Sequence, residues 1–226
     1  MRILPESQGT FRWRLHYAAE EFECLTEQEL KASDAFPSRP EPVNIDRYVE
    51  KRFLTPRYER LRPGLLGFTE FGPSGPIDIV ISSELASDSS VLAKRRVRTT
   101  LAHEAGHAIL HSVLYSTATT GALLRAEDAT SAQRILCKAE DVNPARDGKW
   151  WEYQANMAMS SLLLPKRLLL TALAPYLTRV GPGERTLEPY VARRMVKPLS
   201  TTFDVNPVVV RLRLAHLFPA LLAAQG

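Results

Sequence analysis

The chain has 226 residues, of which 45% are hydrophobic and 24% charged, with a formal net charge of +4. This composition is typical of a globular domain and excludes disordered, collagen-like and disulfide-rich secreted proteins. Cys24 and Cys137 stand far apart, so we expect two reduced thiols. We find neither the apolar run of a signal peptide nor a membrane span, and therefore predict a cytoplasmic protein without membrane contact.

The first elements are predicted from local patterns. Helical periodicity over 18–31 favours a peripheral helix. Three prolines within 34–42 disfavour both helix and sheet hydrogen bonds, so this stretch is predicted to be a linker. Asn44 can then cap a short helix that begins at Ile45.

A β-hairpin and a long helix are predicted next. Two apolar runs of strand length, 65–71 and 77–81, flank a Gly/Pro-rich turn. Residues 88–90 offer capping side chains for a helix that ends near His111 or Val113. Apolar residues cover most of this helix, so we expect it to be buried at the centre of the fold.

Beyond the central helix, residues 116–149 are polar and poorly periodic. We expect them to leave the core, with one helix near 132–139. Periodicity returns at 150–164, and Pro165 is expected to end that helix.

The C-terminal part is predicted to contain two helices, 187–199 and 207–217, the second with Asn206 as its cap and Pro207 in its first turn. Residues 166–226 hold nine Lys/Arg against three Asp/Glu. A basic helical tail permits DNA contact without requiring it.

The strongest indication of chemistry is His103-Glu104-Ala105-Gly106-His107 in the central helix. Histidines at i and i+4 project from one face, so both imidazoles can bind one zinc ion. The carboxylate between them could act as general base toward an attacking water. HExxH also occurs by chance, but burying these groups costs about 2–7 kcal/mol unless they are paired or bind a metal. The apolar context therefore predicts a metal site.

A third ligand must come from outside this helix, because three ligands on one straight helix cannot close a tetrahedron. His111, one turn after His107, is therefore predicted to support the site rather than to bind the metal. The metzincin pattern is excluded, since Leu110 and Val113 occupy its Gly and His positions. His111 is also one of three candidates for stabilising an oxyanion, together with Tyr115 and Tyr153.

Glu152 is the favoured third ligand. Asn156 follows it by one turn on the same helix and could orient a ligand imidazole from outside the ligand set. Four acidic residues in the polar stretch are competing ligands, although surface solvation explains them more simply: Glu127, Asp128, Glu140 and Asp141.

Two segments resemble the ImmA/IrrE metallopeptidases. Residues 98–111, RTTLAHEAGHAILH, resemble the family's active-site helix, R-F-T-x-A-H-E-x-G-H-x-x-x-H. Residues 152–165 are similar to its second motif, E-x-x-A-N-x-F-A-x-x-L-L-M-P, and 42–45 resemble the entry to its first core helix. The resemblance spans 42–165. Departures from the pattern include the packing positions Thr99, Ala158 and Leu164.

The resemblance implies one zinc ion per chain, bound by His103, His107 and Glu152, with Glu104 as catalytic base. Manganese or iron could occupy the same ligands. It also implies an endopeptidase that cleaves a specific protein, such as a partner transcriptional repressor.

The expected fold is α+β, with a zincin-like core in which a small sheet packs on the HExxH helix and the Glu152 helix. We divide the chain into a peripheral N-terminal segment and linker (1–41), a metallopeptidase core (42–170) with an insertion (112–149), and a helical C-terminal region (171–226).

The alternative function is a non-catalytic DNA- or repressor-binding regulator with a structural or vestigial metal site. In that case the C-terminal helices would act as a helix-turn-helix-like unit. Five basic side chains are then candidate phosphate contacts: Arg193, Arg194, Lys197, Arg211 and Arg213. The simpler interpretation is that both helices cover the core and their arginines are solvated. The basic run 94–98 is likewise predicted to be the solvated start of the central helix.

Overall fold

We describe the fold from a computed structural model, which covers residues 1–6, 11–115, 134–138, 149–181 and 185–219. Within these ranges the chain forms a mixed α+β fold with small sheets. The strands are β1 (Arg2–Pro5), β2 (Trp13–His16), β3 (Arg57–Glu59), β4 (Leu65–Gly72), β5 (Gly75–Ser82), β6 (Arg134–Lys138), β7 (Thr178–Arg179) and β8 (Arg185–Thr186). The helices are α1 (Ala19–Ala32), α2 (Ile45–Arg52), α3 (Ser83–Ser87), α4 (Val91–Tyr115), α5 (Trp150–Leu163), α6 (Lys166–Leu173), α7 (Pro189–Thr202) and α8 (Pro207–Leu217).

The predicted hairpin is confirmed as β4 and β5, which pair antiparallel with Gly72 opposite Gly75. Gly75 has φ +129°, a conformation that residues with a Cβ rarely adopt, so the turn requires glycine. β3 joins β5 in parallel and β6 joins β4 antiparallel, which gives the order β3-β5-β4-β6. The pairs β1–β2 and β7–β8 are separate antiparallel ribbons.

The prediction of a helix near 132–139 is wrong, because the described residues of this range form strand β6. Ile135 and Cys137 are buried, whereas Arg134 and Leu136 are exposed. This two-residue alternation is that of a strand with one covered face. Because β6 pairs with β4, this part of the predicted insertion belongs to the sheet.

Helix α4 lies at the centre of the fold, as predicted. Ser90 Oγ caps it by accepting a hydrogen bond from the Ala93 amide at 3.1 Å. The helix packs against α5 and against β4 and β5. A Cβ at Gly106 would lie 3.0 Å from the Ala155 carbonyl oxygen and 3.2 Å from Ala158 Cβ. Glycine at this position therefore lets α4 and α5, which carry the two motifs, approach closely.

Helix starts largely agree with the sequence. The Asn44 side chain accepts from the Arg47 amide at 3.0 Å and caps α2. Residues 34–42 form neither helix nor strand, as predicted for a linker. Asn206 precedes Pro207 at the start of α8, but its side chain makes no capping hydrogen bond.

The predicted peripheral segment 1–41 also contributes buried residues to the fold. Phe11 and Leu15 are buried in a cluster with Trp150 at the start of α5. Leu30 on α1 belongs to the main hydrophobic core. β1, in contrast, is exposed along its length.

Both C-terminal helices contribute buried residues to the main core, as the simpler interpretation predicts. The prediction that Arg213 contacts phosphates is wrong, because its side chain is fully buried. Its guanidinium donates to both carboxylate oxygens of Glu23 at 2.6 Å, to the Leu164 carbonyl at 2.9 Å and to Ser161 Oγ at 2.8 Å. Arg211 is exposed, and its phosphate contact stays a prediction.

The basic start of α4 is not simply solvated, contrary to prediction. Arg95 donates to Asp204 at 2.8 Å and to Ser200 at 3.2 Å. Arg98 donates to the carbonyl oxygens of Val43 at 3.0 Å and of Asp204 at 3.2 Å. These bonds join α4 to the end of α7, to the turn that follows it and to the segment before α2.

The burial of Arg213 predicts a large loss of stability on replacement. Arg213→Met should lower the free energy of unfolding by about 3 kcal/mol, because it leaves Glu23 without its bidentate partner. Urea unfolding followed by circular dichroism measures this loss. Arg211→Met, on the exposed side of the same helix, is the matched control and should change stability by less than about 0.5 kcal/mol. Equal effects of the two substitutions would contradict a structural role for the ion pair.

No single helix in the described ranges is long and apolar enough to cross a membrane. Helix α5 and the segment Lys166–Tyr176 meet that test only as a pair, and they are bent by 59° where they join.

Candidate metal centre

The two motifs meet at the interface of α4 and α5. Glu152 Oε2 lies 3.1 Å from His103 Nε2 and 3.5 Å from His107 Nε2, and the two Nε2 atoms are 3.0 Å apart. One ligand atom from each of the three residues lies within 4.8 Å of the others, and all three residues are buried. The three side chains that were predicted as ligands therefore form a group that could hold a metal ion.

Asn156 supports one of these imidazoles, as predicted. Its Oδ1 lies 3.1 Å from His103 Nδ1 and only accepts hydrogen bonds, so Nδ1 carries a proton. The other ring nitrogen, Nε2, faces Glu152 and is the atom available to a cation. A ligand imidazole bonded on its far side in this way is the usual arrangement in metal sites.

The carboxylate of the group is held in its ionised form. Burial alone would raise the pKa of Glu152, but the imidazoles of His107 and His103 outweigh burial and hold that pKa well below its usual range. Burial would lower the pKa of His103, whereas Cys137 and Glu152 raise it. A proton and a metal ion therefore compete for the Nε2 lone pair of His103, and metal binding would release the proton.

Glu104 lies beside this group and is fully buried. Its Oε2 accepts a hydrogen bond from Thr69 Oγ1 at 2.6 Å, while its Oε1 has no hydrogen-bond partner among the described residues. Burial raises the pKa of Glu104 to about 8, and nearby His103 acts in the opposite direction. One oxygen is thus fixed, and the other is left to exchange a proton near neutral pH.

Thr69, on β4, holds the general-base candidate and was missed by the sequence analysis. It belongs to neither motif, and a polar residue within a strand is not unusual. Only the packing of β4 against α4 places its hydroxyl at Glu104.

His111 is fully buried and lies outside the ligand group, as predicted. Its Nδ1 is 3.0 Å from His107 Nδ1, and its Nε2 is 3.1 Å from Gln154 Oε1. Burial and the neighbouring His107 lower the pKa of His111 to about 3, so the ring is neutral. Gln154 is the second residue that the sequence analysis missed, since it lies between the two motif residues of α5.

The structure places the other residues considered for the site as follows. Tyr115 stacks on Phe71 with ring centroids 4.5 Å apart. Tyr153 is 41% exposed on α5. A role for either residue, or for His111, toward an oxyanion stays a prediction. The competing carboxylates lie outside the described residues: Glu127, Asp128, Glu140 and Asp141.

Neither a protein-family model nor a curated protein matches the chain. The resemblance to ImmA/IrrE metallopeptidases therefore rests on the motif residues alone and stays a prediction.

Proposed function

We propose that the chain is a zinc-dependent endopeptidase of the ImmA/IrrE type with a zincin-like core. The observation that carries this proposal is the convergence of His103, His107 and Glu152 in the protein interior, beside the carboxyl of Glu104. A chance HExxH sequence gives no reason for a carboxylate from another helix to meet both histidines. Nor does it explain why Glu104 keeps one buried oxygen without a hydrogen bond.

The donor set fits zinc. Two imidazole nitrogens and one carboxylate oxygen are a common ligand set of catalytic zinc sites, which keep a fourth position open. We propose one zinc ion per chain, held by these three residues. The same donors accept manganese or iron, so the metal content of the purified protein decides the metal's identity.

The proposed reaction is hydrolysis of a peptide bond by water. Zinc at this site would supply a Lewis acid that activates water and polarises the peptide carbonyl. Glu104, fixed at Oε2 by Thr69, takes the proton of the attacking water at Oε1. It then delivers this proton to the amide nitrogen of the leaving group. In the metal-free protein, burial raises the pKa of Glu104 to about 8. The positive charge of a bound zinc ion would lower this pKa and so favour the carboxylate form, which can accept the proton.

We further propose a narrow protein substrate in the cytoplasm, such as a DNA-binding repressor. This part of the proposal rests on the resemblance to the family. The burial of Arg213 removes one of the basic side chains that favoured direct DNA binding by the chain itself.

The proposal is tested by profiling new protein N-termini. A lysate of the organism that encodes the chain is incubated with the zinc-loaded protein and, in parallel, with protein stripped by a chelator. We expect new N-termini in one or a few proteins, only in the zinc-loaded sample, and their return when zinc is added back to the stripped protein. Identical N-termini in all samples would contradict the peptidase proposal.

A further inference from the structure

We propose that Gln154 and the backbone of β2 fix the tautomer of the metal ligand His107, with His111 as the intermediate. The N-terminal ribbon would then be a structural part of the metal centre. This inference rests on the metal site of the proposed function and does not depend on peptidase activity.

The first step is the orientation of the Gln154 amide. Its Nε2 donates to the backbone carbonyl of Leu15 on β2. A carbonyl oxygen only accepts, so the amide nitrogen must face Leu15. The amide oxygen of Gln154 therefore faces His111.

The second step transfers this constraint along the imidazoles. Gln154 Oε1 only accepts, so His111 Nε2, at 3.1 Å, must carry the proton. The Nδ1 atom of this neutral ring then accepts from His107 Nδ1 at 3.0 Å. In the neutral form of His107, which is the form that binds a metal ion, the lone pair is then on Nε2, the atom that faces His103 and Glu152.

Burial makes this sequence of hydrogen bonds hard to reverse. His107, His111 and Leu15 are 0% exposed and Gln154 is 4% exposed, so solvent water does not offer replacement partners. If His107 were protonated on Nε2, its Nδ1 and the Nδ1 of His111 would face each other without a proton, unless His111 and Gln154 also reversed. A buried polar group without a hydrogen bond costs about 1–3 kcal/mol.

The two ligand histidines are thus supported from different parts of the chain. Asn156, on the same helix as Glu152, fixes His103 directly. The hydrogen bonds that support His107 run through His111 and Gln154 to the Leu15 carbonyl on β2. Leu15 pairs with Ile3 and belongs to the same buried cluster as Trp150. The N-terminal ribbon is therefore expected to influence metal binding although it provides no ligand. His111 and Gln154 are positioning residues in this scheme.

Zinc affinity tests the proposal. Gln154→Met keeps the size of the side chain but removes both hydrogen bonds, and should weaken zinc binding by about 10- to 100-fold in competition with a chelator. Ser160→Ala is the matched control. Its hydroxyl is also buried on α5 but, within the described part of the chain, donates only to the Met157 carbonyl. The control should bind zinc within about twofold of wild type. Unchanged affinity of folded Gln154→Met would overturn the proposal.

A second measurement reads the tautomers directly and does not need the variant to fold. The chain has five histidines, so their nitrogens can be assigned by NMR after 15N labelling. In the wild-type protein we expect His111 to be protonated on Nε2, both with and without zinc. In the zinc-bound protein we expect His107 to be protonated on Nδ1. His111 protonated on Nδ1 would overturn the proposal.

These readouts also separate the two proposals. A wild-type protein that binds no zinc would contradict the proposed metal centre, while the tautomer of His111 in the metal-free protein would still decide whether the Leu15–Gln154 contact acts as described. Zinc binding together with the wrong tautomer would contradict this inference alone.

Discussion

Glu104→Gln is expected to lower the rate of peptide cleavage by about 10²- to 10⁴-fold, the usual contribution of a general base. The glutamine oxygen can still accept the hydrogen bond from Thr69 Oγ1, so the side chain should keep its place. Its amide nitrogen, however, cannot take a proton from water. Cleavage rates of a substrate found by N-terminal profiling, measured with both proteins fully loaded with zinc, give the comparison.

The matched control for this substitution is Glu84→Gln, which neutralises an exposed carboxylate that pairs with Arg60. It should cleave at the wild-type rate. Glu104→Gln should also retain its zinc, because Glu104 is not one of the three proposed ligands. A zinc-loaded Glu104→Gln protein that cuts as fast as wild type would show that this carboxyl is not the base.

The same variant should change how stability depends on pH in the metal-free protein. The folded pKa of Glu104, about 8, is above its unfolded value of 4.5, so the carboxyl favours folding below pH 4.5 and this contribution is lost as pH rises through 8. Glutamine does not titrate. Above pH 8, metal-free Glu104→Gln should therefore be more stable than wild type by on the order of 2–4 kcal/mol. Urea unfolding at pH 5 and pH 8.5 tests this.

Much of the fold could be predicted because its signals are local. A Gly/Pro turn between two apolar runs is sufficient to predict β4 and β5. The cap at Asn44, the stop at Pro165 and the long apolar stretch of α4 are equally local. Strand β6 was not predicted, because five residues are too few to distinguish a period of 2 from one of 3.6.

The residues of the candidate site that belong to the two sequence motifs could be predicted. His103, His107 and Glu152 follow from spacing and from the resemblance, and the structure brings them together. Thr69 and Gln154 could not be found, because each acts on a partner that only tertiary packing brings near. The error at Arg213 has the same origin, since its partner Glu23 lies 190 residues away in sequence.

Glu152→Ala is expected to weaken zinc binding by more than about 100-fold, that is, beyond the loss caused by removing an outer hydrogen-bond partner. The substitution removes the only one of the three proposed ligands that comes from α5. The two histidines of one helix cannot by themselves complete a tetrahedral site. Zinc per chain after dialysis, together with competition against a chelator, measures the effect.

Tyr153→Ala is the control, because it truncates the adjacent, exposed residue of the same helix and should keep a full zinc ion. Circular dichroism shows whether both variants are folded. Full zinc occupancy in folded Glu152→Ala would place the third ligand elsewhere, first among the carboxylates of 116–133 and 139–148. Loss of zinc in Glu152→Ala but not in Glu104→Gln would instead separate the two neighbouring carboxyl groups by role, one holding the metal and the other moving the proton.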